Sequence, residues 1–251
     1  MVIAILATLQ MPWTAALPPH GASLDILRPK FDGGGTSLTS VAVFASARMP
    51  MGNVSLRVEL PFAHIATDPG GSSSSLGNPY VGIETGGATG VSLEAGIRGP
   101  LASDTEVAPQ LGALADITQI EAFFPNLVTA SAGARYRFHD AGGSGFLFDG
   151  GGGPAVWFPT EGGDPELVLH HHMMAGYRGA DLWVAVGFGG WTAVTSDGGS
   201  VGERTVNQAG ASFGMAGGKT RPSFHVIVPL DQAFTAATQI VLGIGLAIAA
   251  N

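Results

Sequence analysis

The stretch Val54-Ser-Leu-Arg-Val-Glu-Leu-Pro-Phe62 alternates between apolar and polar side chains with a period of two. Valine, leucine and phenylalanine hold its even-numbered positions, and Ser55, Arg57 and Glu59 hold odd-numbered ones. Successive side chains of a β-strand point to opposite faces of the sheet, so this stretch predicts a strand with one apolar and one charged face. Val91-Ser-Leu-Glu-Ala-Gly-Ile-Arg98 repeats the pattern.

The same alternation recurs along most of the chain and predicts an all-β protein of about twelve strands. The predicted strands are 22–31, 38–50, 54–65, 79–85, 91–100, 127–138, 145–158, 166–178, 181–194, 205–217, 222–231 and 238–249. Short, Gly-rich connections alternate with longer ones between them. Outer-membrane β-barrels have short periplasmic turns and longer outer loops, so the spacing predicts an antiparallel up-and-down transmembrane β-barrel.

The composition agrees with a wall that faces lipid. Charged residues make up 12% of the 251 residues, whereas an ordinary soluble domain has about 25%. A water-soluble barrel of the lipocalin kind would carry its charges on the outside, which makes that alternative the weakest. A membrane-spanning helix needs about 20 consecutive apolar residues, and no such run occurs. The run 240–250 alternates and is interpreted as a final strand.

The first 20 residues are predicted to be a secretory signal, with Thr14-Ala15-Ala16 as the candidate cleavage site. The alternative is a buried N-terminal segment. Residues 21–251 are predicted to form one barrel domain in a bacterial outer membrane. Outer-membrane lipid and a small solute are the expected partners. The net charge of −8 argues against nucleic acid, no cofactor is predicted, and the oligomeric state stays open.

One long connection has a different pattern. Between Thr105 and Phe124 the apolar residues recur at intervals of three and four, which is typical of a helix. Asp104 is the candidate N-cap, and Pro125 with Asn126 is the candidate stop. By strand parity this helix belongs to an outer loop. Three locations stay open for it: over the barrel mouth, inside the lumen, or on the bilayer surface.

The polar faces of the strands predict a charged lumen. Its predicted lining residues are Arg48, Arg57, Glu59, Glu84, Glu94, Arg98, Arg135, Arg137, Asp149, His170 and His172. Two interpretations stand: these charges pair and plug a narrow barrel, or they form an eyelet that selects solutes by charge and size. A metal site at the two histidines needs further convergent ligands, with Glu166 on the same face, and is not predicted.

No catalytic site is predicted. Gly142-Gly-Ser-Gly-Phe146 fails the G-x-S-x-G spacing of a hydrolase elbow and is interpreted as a turn. A lipid-modifying enzyme would need a serine, a histidine and a carboxylate within reach of one another. Ser212 or Ser223 with His225 are the candidates, but their spacing does not single them out.

Several aromatic residues lie near predicted strand ends, as the aromatic girdles of membrane proteins do. They are Tyr80, Tyr136, Phe138, Phe158, Tyr177, Trp191 and Phe224.

Two short motifs carry a resemblance to a known family. Leu60-Pro-Phe62, a Ser-rich loop and Leu76-Gly-Asn-Pro-Tyr-Val-Gly-Ile-Glu84 form the first, and Gly133-Ala-Arg-Tyr-Arg-Phe138 forms the second. Together they resemble small outer-membrane barrels described as transporters of the phenol-degradation (MetA-pathway) type. The resemblance implies an outer-membrane location and passage of small organic molecules, with no catalytic residues to transfer. The leading hypothesis is therefore a pore or binding cavity for small solutes, and the alternative is a closed structural or adhesive barrel.

Overall fold

A computed structural model describes residues 20–31, 37–68, 70–86, 89–139, 144–196 and 200–250. The predicted signal segment lies almost wholly outside these residues. The strands are β1 Gly21–Phe31, β2 Ser37–Met51, β3 Val54–Asp68, β4 Ser72–Leu76, β5 Tyr80–Thr85, β6 Gly90–Arg98, β7 Leu127–His139, β8 Gly145–Pro159, β9 Glu166–Arg178, β10 Leu182–Ala193, β11 Thr205–Met215, β12 Thr220–Pro229 and β13 Thr238–Ala249. The helices are α1 Val107–Gly112 and α2 Gln232–Thr235, with 3-10 turns at Ile117–Ala122 and Val201–Arg204.

Twelve of these strands form a closed antiparallel barrel, which confirms the predicted fold. Each pairs with its neighbours along the chain, and β1 closes the wall by pairing with both β13 and β2. The thirteenth, β4, pairs only with the outer half of β3 and forms a hairpin within the loop predicted for 66–78. Closure leaves no open sheet edge in the lipid, where unpaired backbone groups would be costly.

The exterior of the barrel is apolar. Along β3, Arg57 and Glu59 are buried inside the barrel while Leu60 and Phe62 are exposed. Large exposed side chains continue around the wall: Val81, Ile83, Val91, Ile97, Val184, Val186, Phe213, Leu242, Ile244 and Leu246. Exposing such a surface to water would be unfavourable, whereas contact with the hydrocarbon of a bilayer is favourable. No helix in the described part of the chain is long and apolar enough to cross a membrane.

The connection between β6 and β7 folds into the lumen, and we call residues 99–126 the plug. The prediction of one helix over 105–124 is wrong, because the plug contains only α1 and a separate 3-10 turn. The chain turns after Gly112, and Asp116 starts the second element by accepting a bond from the Thr118 amide. Asp104 does not cap α1, whose N-cap position is Glu106. A continuous helix would not follow the curvature that packing across the lumen requires.

The interior has two layers. Towards the outer end, the plug and the wall share an apolar cluster that includes Phe44, Ile65, Phe123, Trp157 and Val168. Towards the periplasmic end, where the short turns lie, the wall carries buried charges on β3 and β5–β8, and Arg48 of β2 pairs with one of them. Leu147, Met174 and Trp183 form a second buried apolar cluster on β8–β10, so the inner layer is not charged all the way round the wall.

Candidate functional site

The buried charges of the inner layer form a connected network across neighbouring strands. Arg57 donates to Glu94 at 2.7 Å and to Glu59 at 3.3 Å. Arg98 donates to the other oxygen of Glu59 at 2.8 Å. Ion pairs this deeply buried require good geometry, since the loss of hydration must be offset by direct contacts. The network therefore fixes the positions of these side chains.

Tyr80 completes this part of the network. Its hydroxyl donates to Glu94 at 2.8 Å, and its ring lies 5.1 Å from the Arg57 guanidinium and 5.6 Å from that of Arg98. A Cβ atom at Gly82 or Gly96 would come within 2.3 Å of the Tyr80 oxygen. These two glycines are therefore required for the ring to lie against the wall, and an aromatic ring between two cations stabilises both.

Two further groups extend the network towards the periplasmic mouth. Arg135 binds Asp149 through two nitrogens, at 2.7 and 2.5 Å, and His172 contacts the same carboxylate at 3.1 Å. At the mouth itself, Glu84 pairs with both Arg48 and Arg137. One carboxylate thus holds two guanidinium groups together at the end of the lumen.

The exposed fractions show that the side chains of the network are covered in this state. Arg57 is 3% exposed, Glu59 4% and Arg98 5%, and across the lumen Asp25 is 4% and His225 1% exposed. Of the two interpretations of the charged lumen, the geometry of this state corresponds to the paired one.

Asn78 holds the root of the plug, by which we mean the parts around Leu101–Ala102 and Glu121–Phe124. This residue lies in the linker between β4 and β5 and is fully buried. Its side-chain amide donates to the carbonyl oxygens of Glu121 and Phe124 at 2.9 and 2.6 Å. Its side-chain oxygen accepts from the backbone amides of Leu101 and Ala102, both at 2.8 Å. Every polar atom of this side chain therefore binds the plug, and both ends of the plug are tied to one residue.

The tip of the plug, residues 116–119, contacts the opposite wall through fewer hydrogen bonds. The Ile117 amide donates to Gln208 of β11 at 3.2 Å, and Trp191 of β10 donates to the Ile117 carbonyl at 2.9 Å. Gln208 also donates to Oδ1 of Asp116, which accepts two bonds from Thr118. Oδ2 of Asp116 is buried and has no partner among the described residues. Burial raises the pKa of the Asp116 carboxyl group to about 6.

Aromatic contacts complete the seating of the plug. Phe123 packs edge-to-face on Phe44 with ring centroids 5.6 Å apart, and Phe124 packs on Trp157 at 5.8 Å. Trp157 in turn contacts Trp191 at 5.3 Å. The outer half of the lumen is thus lined by rings, which differs from the polar interior usual for porins.

The two predicted lumen histidines lie inside the barrel but do not converge on a metal site. His172 binds Asp149, and His170 lies beneath the plug and contacts the backbone of Thr118. Glu166 is bonded to Ser196. Within the described ranges, no group of three histidine, aspartate or glutamate side chains is placed to hold a metal ion.

Ser212, His225 and Asp25 form a hydrogen-bonded cluster on the opposite wall. Ser212 lies 2.8 Å from Nδ1 of His225, while Ser223 and Asp25 lie 3.1 and 3.5 Å from its Nε2. Acyl transfer also needs access for substrate and free amides aimed at an oxyanion. Ser212 is only 2% exposed, and its strand pairs on both sides. In this state the cluster packs within the wall.

Two residues assigned to the aromatic girdle lie inside the barrel instead, so that part of the prediction is wrong. Tyr80 binds the charged network, and Trp191 binds the plug. The contacts that seat the plug were not predicted at all. A signal existed for Gln208, because it shares the inward parity of Ser212 on β11, and for Asn78, because it occupies the centre of the Leu76–Glu84 motif.

The closed twelve-strand wall, its apolar exterior and its charged interior define an outer-membrane β-barrel. No family model matches the sequence, and no curated protein does. Solved structures with the same fold include an outer-membrane channel from Pseudomonas putida F1, at 12% identity and a TM-score of 0.61 over 96% of this chain and 99% of that one. CymD, a monoaromatic hydrocarbon channel, has 11% identity and a TM-score of 0.52 over 99% and 95%. The porin NanC has 8% identity and a TM-score of 0.51 over 90% and 100%.

Proposed function

We propose that the protein is an outer-membrane channel for small, largely apolar organic solutes, and that the structure is its closed state. The observation that carries the proposal is the nature of the obstruction. The outer half of the lumen is filled by a connecting segment held through hydrogen bonds and ring contacts. Such a segment can leave the lumen without breaking the wall.

The lining of the outer half supports the solute class. Without the plug, Phe44, Trp157 and Trp191 would border the entrance together with aliphatic side chains. Rings at this position favour solutes with an apolar surface. The likeness to barrels that are channels, one of them for monoaromatic hydrocarbons, agrees with this class.

The second candidate is a structural barrel that never conducts, and the very low exposure of the lumen residues favours it. Planar-bilayer recording separates the two if the intact protein is compared with a variant whose residues 104–122 are replaced by a short Gly-Ser linker. We expect rare, brief openings for the intact protein and a steady conductance for the variant. Absence of conductance from both folded proteins would establish the structural barrel.

We further propose that the lumen charges set the ion preference of the open channel, with Glu84 as the residue that balances the mouth. In the linker variant, Glu84→Gln removes the shared partner of Arg48 and Arg137. The two guanidinium groups then attract anions, so the chloride-to-potassium permeability ratio should rise several-fold in reversal potentials measured under a salt gradient.

The control for this experiment is Glu161→Gln, which removes an equal charge from an exposed position between β8 and β9. It should leave the permeability ratio unchanged. Equal ratios for the Glu84 and Glu161 variants would show that the mouth charges do not govern ion preference.

A further inference from the structure

The contacts of the plug differ between its root, where both ends of the segment meet Asn78, and its tip around Asp116. At the root, Asn78 uses all its polar side-chain atoms, and its backbone amide also donates to the Ala122 carbonyl at 2.7 Å. A Cβ atom at the adjacent Gly77 would lie 2.4 Å from that same carbonyl oxygen, so the two segments are in direct contact. At the root, every polar atom of the Asn78 side chain is hydrogen-bonded, and the two backbone segments are in close contact.

The tip contains a buried carboxyl group, one oxygen of which lacks a hydrogen-bond partner among the described residues. Asp116 is 1% exposed, and its Oδ2 atom has no hydrogen-bond partner among the described residues. Its neighbouring donors are all neutral, namely Thr118, Gln208 and the side chain of Gln119. A buried carboxylate without a cation is costly in its charged form, and the neutral carboxylic acid costs less there.

The charged groups around the tip do not compensate Asp116. From β6, Arg98 reaches towards Gln119, with 3.4 Å between the donor and acceptor atoms, and is committed to Glu59. His170 of β9 lies beneath Thr118 rather than beside the Asp116 carboxyl group. Glu121, in the plug itself, is an acid and does not offset the charge of Asp116. The contacts that β10 and β11 make with the tip come from the uncharged Trp191, Gly189 and Gln208.

We propose that residues 99–126 are a hinged flap, in which Asn78 fixes the root and the burial of the Asp116 side chain beside Gln208 favours the docked tip most strongly when the carboxyl group is neutral. This inference rests on the proposed function only for its consequence, since release of the tip would open the outer half of the lumen. The flap itself is a property of the folded barrel.

The direction of the pH response follows from the raised pKa of Asp116. Docking of the tip is favoured when the carboxyl group is protonated, so the docked state is fully stabilised below the ordinary value of 3.8. That stabilisation is lost as the pH rises through about 6. The difference of about two units limits the shift in the docking equilibrium to about 100-fold between acid and neutral solution.

Hydrogen exchange measured by mass spectrometry tests the flap on the full chain in detergent micelles, with rates corrected for the intrinsic effect of pH. Between pH 4.5 and pH 7.5, the protection factors of the Ile117, Thr118 and Gln119 amides should fall by about 10-fold to 100-fold. Those of the Leu101 and Ala102 amides, which Asn78 binds, should stay unchanged. Equal behaviour of tip and root, or no change at the tip, would overturn the proposal.

Two variants sharpen this test. Asp116→Asn keeps a neutral side chain at the tip at every pH, so tip protection should become independent of pH. Asp104→Asn removes a carboxylate from an exposed position of the same segment and should retain the wild-type response. A full response in Asp116→Asn would refute the assignment of Asp116. Because exchange does not depend on conduction, a protein that shows the response but never conducts would contradict the proposed function and leave the flap intact.

Discussion

Replacing Arg57 with alanine should lower the free energy of unfolding by about 3–5 kcal/mol, the cost typical of removing one partner from a buried ion pair. Arg57 is 3% exposed and binds Glu94, Glu59 and the face of Tyr80. Without it, Glu94 loses its ion-pair partner, and Glu59 keeps only its bond to Arg98. Urea unfolding in detergent, followed by the shift in electrophoretic mobility of the folded barrel, measures the effect.

The control for Arg57→Ala is Arg28→Ala. Arg28 is exposed on the outer face of β1 beside Leu242, close to the outer end of the wall. Its loss should change the free energy of unfolding by about 1 kcal/mol or less, because arginine near a membrane interface costs little. A change below about 1 kcal/mol for Arg57→Ala as well would show that the network is dispensable for stability.

A double variant separates the pair from the packing. Arg57→Met with Glu94→Met replaces one ion pair by side chains without charge. Because no charge of that pair is left unpartnered, the double variant should be less destabilised than the sum of the two single variants. Strict additivity would mean that Arg57 and Glu94 act independently, in spite of the 2.7 Å distance between them.

The barrel was predictable from sequence because its signal is local. A strand with lipid on one side and charges on the other requires alternation at every second residue, and Val54–Phe62 shows this within a single element. The same parity places Tyr80 with Gly82 and Glu84 on one face, and Trp191 with Gly187 and Gly189. Both rings lie near strand ends, which favoured the girdle, but this parity places them on the inner face of the wall.

The plug was not predictable to the same degree because its conformation depends on distant partners. The spacing of apolar residues from Val107 to Phe124 is helical, yet Phe123 packs on Phe44, Phe124 packs on Trp157 and Gly112 lies against Ala63, which belong to three different strands. The chain bends to reach them, and tertiary contacts override the local periodicity. Gln208 and Asn78 are single polar residues with distant partners: Gln208 binds Ile117, 91 residues away, and the side chain of Asn78 binds residues 23 to 46 positions away.

Replacing Asn78 with alanine should release the plug and leave the barrel folded. The change removes four hydrogen bonds, each with a net contribution of about 1 kcal/mol, so docking of the plug should weaken by roughly a thousandfold. The wall pairs independently of these bonds. Planar-bilayer conductance should rise to a large fraction of that of the linker variant, and the Leu101 and Ala102 amides should lose their protection against exchange.

A steric variant tests the same joint without removing a polar group. A Cβ atom at Gly77 would lie 2.4 Å from the Ala122 carbonyl oxygen and 2.8 Å from Cβ of Pro61, and neither backbone nor proline ring can yield easily. Gly77→Ala should therefore also raise conductance. Gly71→Ala, in the same outer hairpin, meets no atom within 4 Å and should behave as wild type. If Gly77→Ala and Asn78→Ala both keep the wild-type conductance and protection, the root of the plug is held elsewhere, because two unrelated disruptions of this joint would have had no effect.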